Sequence, residues 1–335
     1  MNHTTYNRRD FIKNLSLGVG SVVFMPKLLS GKVTQKRPNI IVVMADNVGY
    51  GDFGISGNTR VNTRNIDNFG RDGIQFKRFD CQPMCATTRA QLMTGRYHYR
   101  TGVIHTSRGG AKMHGDEVTI AEYLQKAGYA TGMFGKWHLG DNYPMRPHDQ
   151  GFSQTLWHKS GRIGQVPDHP NTYFSPMLWH NEEKVRVEGY CTDIYTDAAI
   201  EFIEANHKNP FFVYLPTNIA HTADENVVGP LVHPDYSNPY REMGFGDTTA
   251  KVYGMLTNLD ENFARLLGKL EELNIRENTL VIFTTDDGPS QEYNFGLRPG
   301  SVYESKMRVP FLMQWPEGFQ TTPVSIDNVA SHIDV

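Results

Sequence analysis

Cysteine is scarce in this sequence: Cys81, Cys85 and Cys191 are the only three in 335 residues. They cannot form a disulfide framework for a chain this long, so stability has to come from a hydrophobic core. Neither sign of charge dominates, since 33 Lys and Arg against 36 Asp and Glu leave a formal charge of −3. No global field therefore draws the chain to nucleic acid or an anionic membrane, and any affinity for anions must be local. Internal repeats and low-complexity tracts are also missing. The chain does have 39% hydrophobic content, enough for one large or two ordinary domains.

The first thirty residues differ from the rest. Arg8 and Arg9 precede Phe11 and Lys13, and an uncharged run extends from Asn14 to Met25. That run is too short to span a bilayer comfortably and reads as the apolar core of an export signal. The pattern resembles a twin-arginine signal, which implies the Tat export machinery as a partner and a bacterial periplasmic or extracellular destination. No Ala-x-Ala cleavage site comes after it. Residues 1–32 are assigned to this segment and 36–335 to one folded domain.

Four apolar runs read as buried parallel strands, because they are continuous rather than alternating: NIIVVMA (39–45), YATGMFG (129–135), PFFVYLP (210–216) and TLVIFTT (279–285). Helical patterns lie between them, in DEVTIAEYLQKAG ending at Gly128, in DIYTDAAIEFIEANHKN, and most clearly over 249–273. Alternating strands and helices predict an α/β fold with a large, mostly parallel central sheet flanked by helices. The stretch 141–192, rich in Pro, Gly, His and Trp, reads as an elaborate loop region.

The chemistry lies just past the end of each strand. Asp46 and Asn47 come after the first, Lys136 and His138 after the second, His221 after the third, and Asp286 and Asp287 after the fourth. In open α/β sheets ligands bind beyond the carboxyl ends of strands, so these groups are expected in one crevice. Asp46, Asn47, Asp286 and Asp287 offer hard oxygen ligands suited to Ca²⁺, with Mg²⁺ as the alternative. Without a cation, three neighbouring carboxylates would repel one another.

Cys85 has several readings. A cysteine phosphatase needs Arg six positions after its nucleophile, and that position is Gln91. A redox pair would favour CxxC, whereas Cys81 and Cys85 form CxxxC around Pro83. A Cys81–Cys85 disulfide would staple only a small loop. Thr87 or Thr88 is expected to cap a helix closed by Gly95, which puts Cys85 at a helix N-terminus where free N–H groups attract anions, with Arg89 on the first turn. Together with a metal, Lys136 and the histidines, this is a pocket for a tetrahedral oxyanion.

The segment CATTRAQLMTGR resembles the sulfatase signature CxPSRxxLLTGR, whose cysteine becomes Cα-formylglycine. Six further segments resemble the same family in the same order: PNIIVVMADNVGYGDFG, GYATGMFGKWHLG, RPHDQGF, PFFVYLPTNIAHT, TTDDG and GSVYESKMRVPF. The likeness to the formylglycine-dependent sulfatases of the alkaline phosphatase superfamily runs from about Arg37 to Val335.

The resemblance implies sulfate-ester hydrolysis of sulfated carbohydrates or aryl sulfates, and a formylglycine-generating enzyme as a partner. It implies Asp46, Asn47, Cys85, Asp286 and Asp287 at the metal. Lys136 and His221 would hold the sulfate and protonate the leaving group, Arg89 would stabilise the nucleophile, and His138 would take the second hydroxyl proton. The same superfamily also handles phosphate and phosphonate esters, and a degenerate, anion-binding homologue is a third reading.

Three departures stand out. Carboxylate and amide are exchanged between the two metal motifs. Thr87 and Thr88 replace the signature Pro and Ser. Pro299 stands where the family has a second sulfate-binding lysine, which makes Arg298, ahead of Lys306, the expected substitute. The segment VSIDNVASHIDV resembles one that leads into a small C-terminal subdomain, which is expected to be missing. His98, His105, His158 and His332 receive no catalytic role, and Trp157 reads as packing.

Overall fold

A computed structural model describes residues 37–106, 111–221, 231–289, 302–319 and 323–335. The export-signal expectation for 1–32 and the assignments at Arg298 and Pro299 lie outside these residues. The described strands form one ten-stranded sheet: β1 (Asn39–Ala45), β2 (Ile74–Asp80), β3 (Ala130–Lys136), β4 (Gln154–His158), β5 (Met177–His180), β6 (Glu183–Arg186), β7 (Phe211–Pro216), β8 (Thr279–Thr285), β9 (Phe311–Gln314) and β10 (Val324–Ser331). Their order is β10-β2-β9-β8-β1-β7-β3-β4-β5-β6. The middle block β8-β1-β7-β3-β4 is parallel throughout.

The continuous apolar runs have a simple cause, because each central strand feeds two cores. Along β1, Ile41, Val43 and Ala45 point into one core and Val42 and Met44 into the other. Along β7, Phe211, Val213 and Leu215 alternate in the same way with Phe212 and Tyr214. A strand covered on both faces has no polar side to show.

Helices cover both faces. Helix Asp247–Glu272 packs Val252, Met255, Leu256, Leu259, Phe263, Leu266 and Leu270 into the first core, beside helix Cys191–Asn206. Helices Cys85–Thr94 and Ile120–Lys126 contribute Ala86, Ala90, Met93 and Ala121 to the second. The latter helix starts at a capping box between Thr119 and Glu122, and Gly128 comes after it with φ +84°. Among the described residues no helix is long and apolar enough to cross a membrane.

The stretch 141–192 departs from expectation: it contributes β4, β5 and β6 at one sheet edge. These strands are only four or five residues long, and β6 is largely exposed. The β5–β6 hairpin turns at Asn181, in left-handed backbone at φ +54°. Strands this short, one nearly all exposed, lack the buried periodicity that reveals a strand in sequence. Trp157 is buried on β4, with its indole N–H donating to Asn181 O at 3.4 Å, which is a packing role.

Candidate active site

The C-terminal ends of the parallel strands converge, as the topology requires. Asp46 and Asn47 leave β1, Asp286 and Asp287 leave β8, and Lys136 is the last residue of β3. Two of these exits turn through left-handed backbone, Asn47 at φ +58° and His138 at φ +61°, an uncommon conformation for residues with side chains. Gly135, at φ +134°, has no room for a side chain, since a Cβ there would lie 1.9 Å from Pro216 O. That close approach of β3 to the end of β7 sets where Lys136 emerges.

The helix that carries Cys85 begins at Cys85 itself. Met84 precedes it with extended backbone and no side-chain cap, so Thr87 and Thr88 fall inside the first turn rather than capping it. Their hydroxyls serve the approach instead: Thr87 Oγ1 donates to Met84 O at 2.6 Å, and Thr88 Oγ1 accepts from Gln82 N–H at 2.9 Å. Gly95 closes the helix in left-handed conformation, as expected.

Cys81, Cys85 and Cys191 are all free thiols and buried, so no Cys81–Cys85 disulfide forms. Cys85 Sγ lies 3.3 Å from His138 Nδ1. Burial pushes the Cys85 thiol up to about 12, which keeps it protonated at neutral pH. A buried, protonated thiol is a poor nucleophile as it stands.

Around it the charged groups pair directly with one another. Arg89 Nη2 lies 2.8 Å from Asp286 Oδ2, and Arg89 Nη1 donates to Lys136 O at 2.6 Å. Lys136 Nζ donates to Asp46 Oδ2 at 2.8 Å and lies 3.7 Å from Asp286 Oδ2. Asn47 N–H donates to Asp286 Oδ1 at 3.2 Å. Burial opposes ionisation of Asp286, yet Arg89 and Lys136 outweigh it and hold the carboxyl well below the usual range. Asp46 moves the other way, up to about 6, through burial and the Asp286 charge, against the pull of Lys136. His138 is kept neutral by burial and by the cations Lys136 and Arg89.

Donor atoms of Asp46, Cys85 and Asp286 all lie within 4.8 Å of one another. Asp46 Oδ1 is buried and has no hydrogen-bond partner among the described residues. An orphaned carboxylate oxygen beside a second carboxylate is costly unless a cation satisfies it, and oxygen donors of this kind suit Ca²⁺ or Mg²⁺. The residues therefore fit a divalent ion.

The chain leading to His221 is tied to the end of β1 and to Tyr173: Asp46 N–H donates to Ile219 O at 2.6 Å, and Tyr173 hydroxyl donates to His221 O at 2.9 Å. Lys306, the neighbour of the expected Arg298, is turned inward. Its ammonium is buried against Asp287 Oδ2 at 3.1 Å, and burial raises Asp287 to about 7 against that partner.

Two further residues stand beside the site, and sequence reasoning missed the second. His158, given no catalytic role from sequence, ends β4 in register with Lys136, buried, with Nε2 unpartnered among the described residues. Tyr214 sets its hydroxyl 3.5 Å from Arg89 Nη1 and donates to Met44 Sδ at 3.2 Å. A tyrosine inside the apolar PFFVYLP run was the available signal, because a buried hydroxyl needs a partner.

A family model described as Sulfatase matches residues 38–335. The chain belongs to the sulfatase family. Among curated sulfatases, Arylsulfatase G of Mus musculus is 30% identical over 364 residues, covering 91% of this chain and 66% of that protein. N-acetylgalactosamine-6-sulfatase of Mus musculus is 27% identical over 327 residues, covering 83% and 57%. The chain thus spans between about half and two thirds of the length of the curated sulfatases it matches. In three dimensions the crystal structure of Ps i-CgsB in complex with k-i-k-neocarrahexaose superposes with a TM-score of 0.78 at 27% identity, covering 89% of this chain and 70% of that one. The expected α/β architecture is that of these sulfatases.

Proposed function

We propose that this chain hydrolyses sulfate esters of carbohydrates, with Cys85 converted to Cα-formylglycine and with Ca²⁺ held by Asp46, Asn47, Asp286 and Asp287. One observation carries the reading: Cys85 stands at a helix start within reach of His138 Nδ1, among two buried cations and a carboxylate oxygen that lacks a partner. The names of the relatives support the substrate class, since one acts on N-acetylgalactosamine-6-sulfate groups by its name and another was crystallised with a neocarrahexaose.

Formylglycine and Ca²⁺, when present, supply a hydroxyl nucleophile and a positive centre for the sulfate oxygens. The protein side chains do the rest. Arg89, locked on Asp286 and Lys136 O, is a fixed positive charge beside residue 85 that needs no reorganisation as negative charge develops. Lys136 holds a sulfate oxygen. His138, neutral and 3.3 Å from position 85, accepts a proton at a ring nitrogen. His221 donates a proton to the departing sugar oxygen, and Arg298 is the second cation on the sulfate. The Arg8–Arg9 segment directs the chain through the Tat machinery to the periplasm or beyond, after a formylglycine-generating enzyme has acted on it.

The test is peptide mass spectrometry at Cys85 on protein from its native host, coupled to kinetics on sulfated sugars, aryl sulfates, and phosphate and phosphonate esters. An aldehyde at position 85 with turnover of sulfated sugars is expected. An unmodified thiol, or faster turnover of the phosphorus esters, would overturn the reading.

A further inference from the structure

Three buried carboxylates meet three buried cations here, but the pairs are not equivalent. Lys136 and Arg89, the partners of Asp46 and Asp286, both act on Cys85 or His138. The third cation, Lys306, sits elsewhere. Its Nζ lies 3.1 Å from Asp287 Oδ2 and donates to Gly288 O, while the Cys81 thiol donates to the Lys306 backbone carbonyl at 3.6 Å.

The position of Lys306 is fixed by the backbone of its own short helix, Glu304–Met307. Gly288 N–H donates to Lys306 O at 2.7 Å, Cys81 N–H to Met307 O at 2.8 Å, and Tyr50 N–H to Arg308 O at 3.0 Å. The segment is thus tied to the loops after β8, β2 and β1. A Cβ on Gly288 would fall 2.6 Å from both Ser305 O and Lys306 O, so the loop after Asp287 can lie this close only with glycine there.

We infer that Lys306 is the built-in counter-ion of Asp287, so that the second aspartate of this metal motif enters the site as part of a neutral pair that draws on neither of the cations beside Cys85. The inference rests on the metal reading under Proposed function. An uncompensated Asp287 would strengthen cation binding and repel an incoming sulfate, because charges a few ångströms apart in a poorly hydrated site interact strongly. Lys306 removes that charge without taking Lys136 or Arg89 away from the anion.

A charge-neutralising double-mutant cycle tests this. Metal-stripped full-length protein is titrated with CaCl₂ by calorimetry in four forms: native, Asp287→Asn, Lys306→Gln and the double variant. Asp287→Asn leaves Lys306 unpaired and is expected to weaken Ca²⁺ binding by about tenfold or more, and Lys306→Gln to tighten it by a similar factor. The double variant is expected to return to within about threefold of native, the two charge changes cancelling. Melting temperatures without Ca²⁺ should follow a different order, the double variant above either single one, since each single change buries an unpaired charge.

A double variant that binds as weakly as Asp287→Asn would overturn the inference while leaving the metal reading standing, for it would mean that the Asp287 charge itself holds the ion. Absence of Ca²⁺ binding by native protein would overturn both. If either single variant fails to fold, the native and double forms alone decide.

Discussion

Arg89 Nη2 and Nε converge on one oxygen of Asp286, at 2.8 and 2.9 Å, with both side chains fully buried. This pair joins the Cys85 helix to the end of β8, so it fixes the distance between Cys85 and the carboxylates that follow β8. Arg89→Ala is expected to destabilise the fold by about 3–5 kcal/mol, because it strands a buried carboxylate. Urea denaturation measures it. A loss below about 1 kcal/mol would mean that water reaches Asp286 in place of the guanidinium.

Cys85, where it remains a thiol, should resist alkylation. Burial pushes its pKa to about 12, so iodoacetamide at about pH 8 should label it far more slowly than after unfolding in urea. Mass spectrometry of the Cys85 peptide tracks the reaction. Equal rates in folded and unfolded protein would refute the burial of this position.

Gly135 governs Lys136. At φ +134°, with Pro216 O where a Cβ would sit, Gly135→Ala must push β3 away from β7. A loss of about 3 kcal/mol is expected from overpacking together with left-handed strain. Thermal melting checks it, and an unchanged melting temperature would show that the strands are not pressed together there.

His332 makes stability depend on pH. Burial lowers its pKa to about 3, and its Nε2 lies 3.2 Å from Thr284 Oγ1. The unfolded chain takes up a proton near the ordinary histidine value of about 6.5, whereas the folded one does so only near the lowered value. Its contribution is therefore intact above about pH 6.5 and is lost as pH falls toward the folded pKa. Between about pH 6.5 and 5 the loss should approach about 2 kcal/mol. His332→Gln should flatten the pH dependence by that amount in urea titrations at about pH 7 and pH 5. An equal slope in both proteins would place His332 in contact with solvent.

The sequence was legible where one physical cause dominates. The runs 39–45, 210–216 and 279–285 meet β1, β7 and β8 to within a residue, because a strand buried on both faces must be continuously apolar. The helix over 249–273 showed in its threefold and fourfold spacing and is found at Asp247–Glu272. β4, β5 and β6 stayed hidden: they are too short for periodicity, and pairing at a sheet edge supplies what their own residues do not.

By itself the sequence determined the family, the α/β order of elements and the residue types beyond each central strand, since these depend on local composition and spacing. Only the tertiary structure decided who pairs with whom. That Asp46 takes Lys136, Asp286 takes Arg89 and Asp287 takes Lys306 depends on loops far apart in sequence meeting at one end of the sheet. A buried charge must find an opposite one close by, and chain order says nothing of which one that will be.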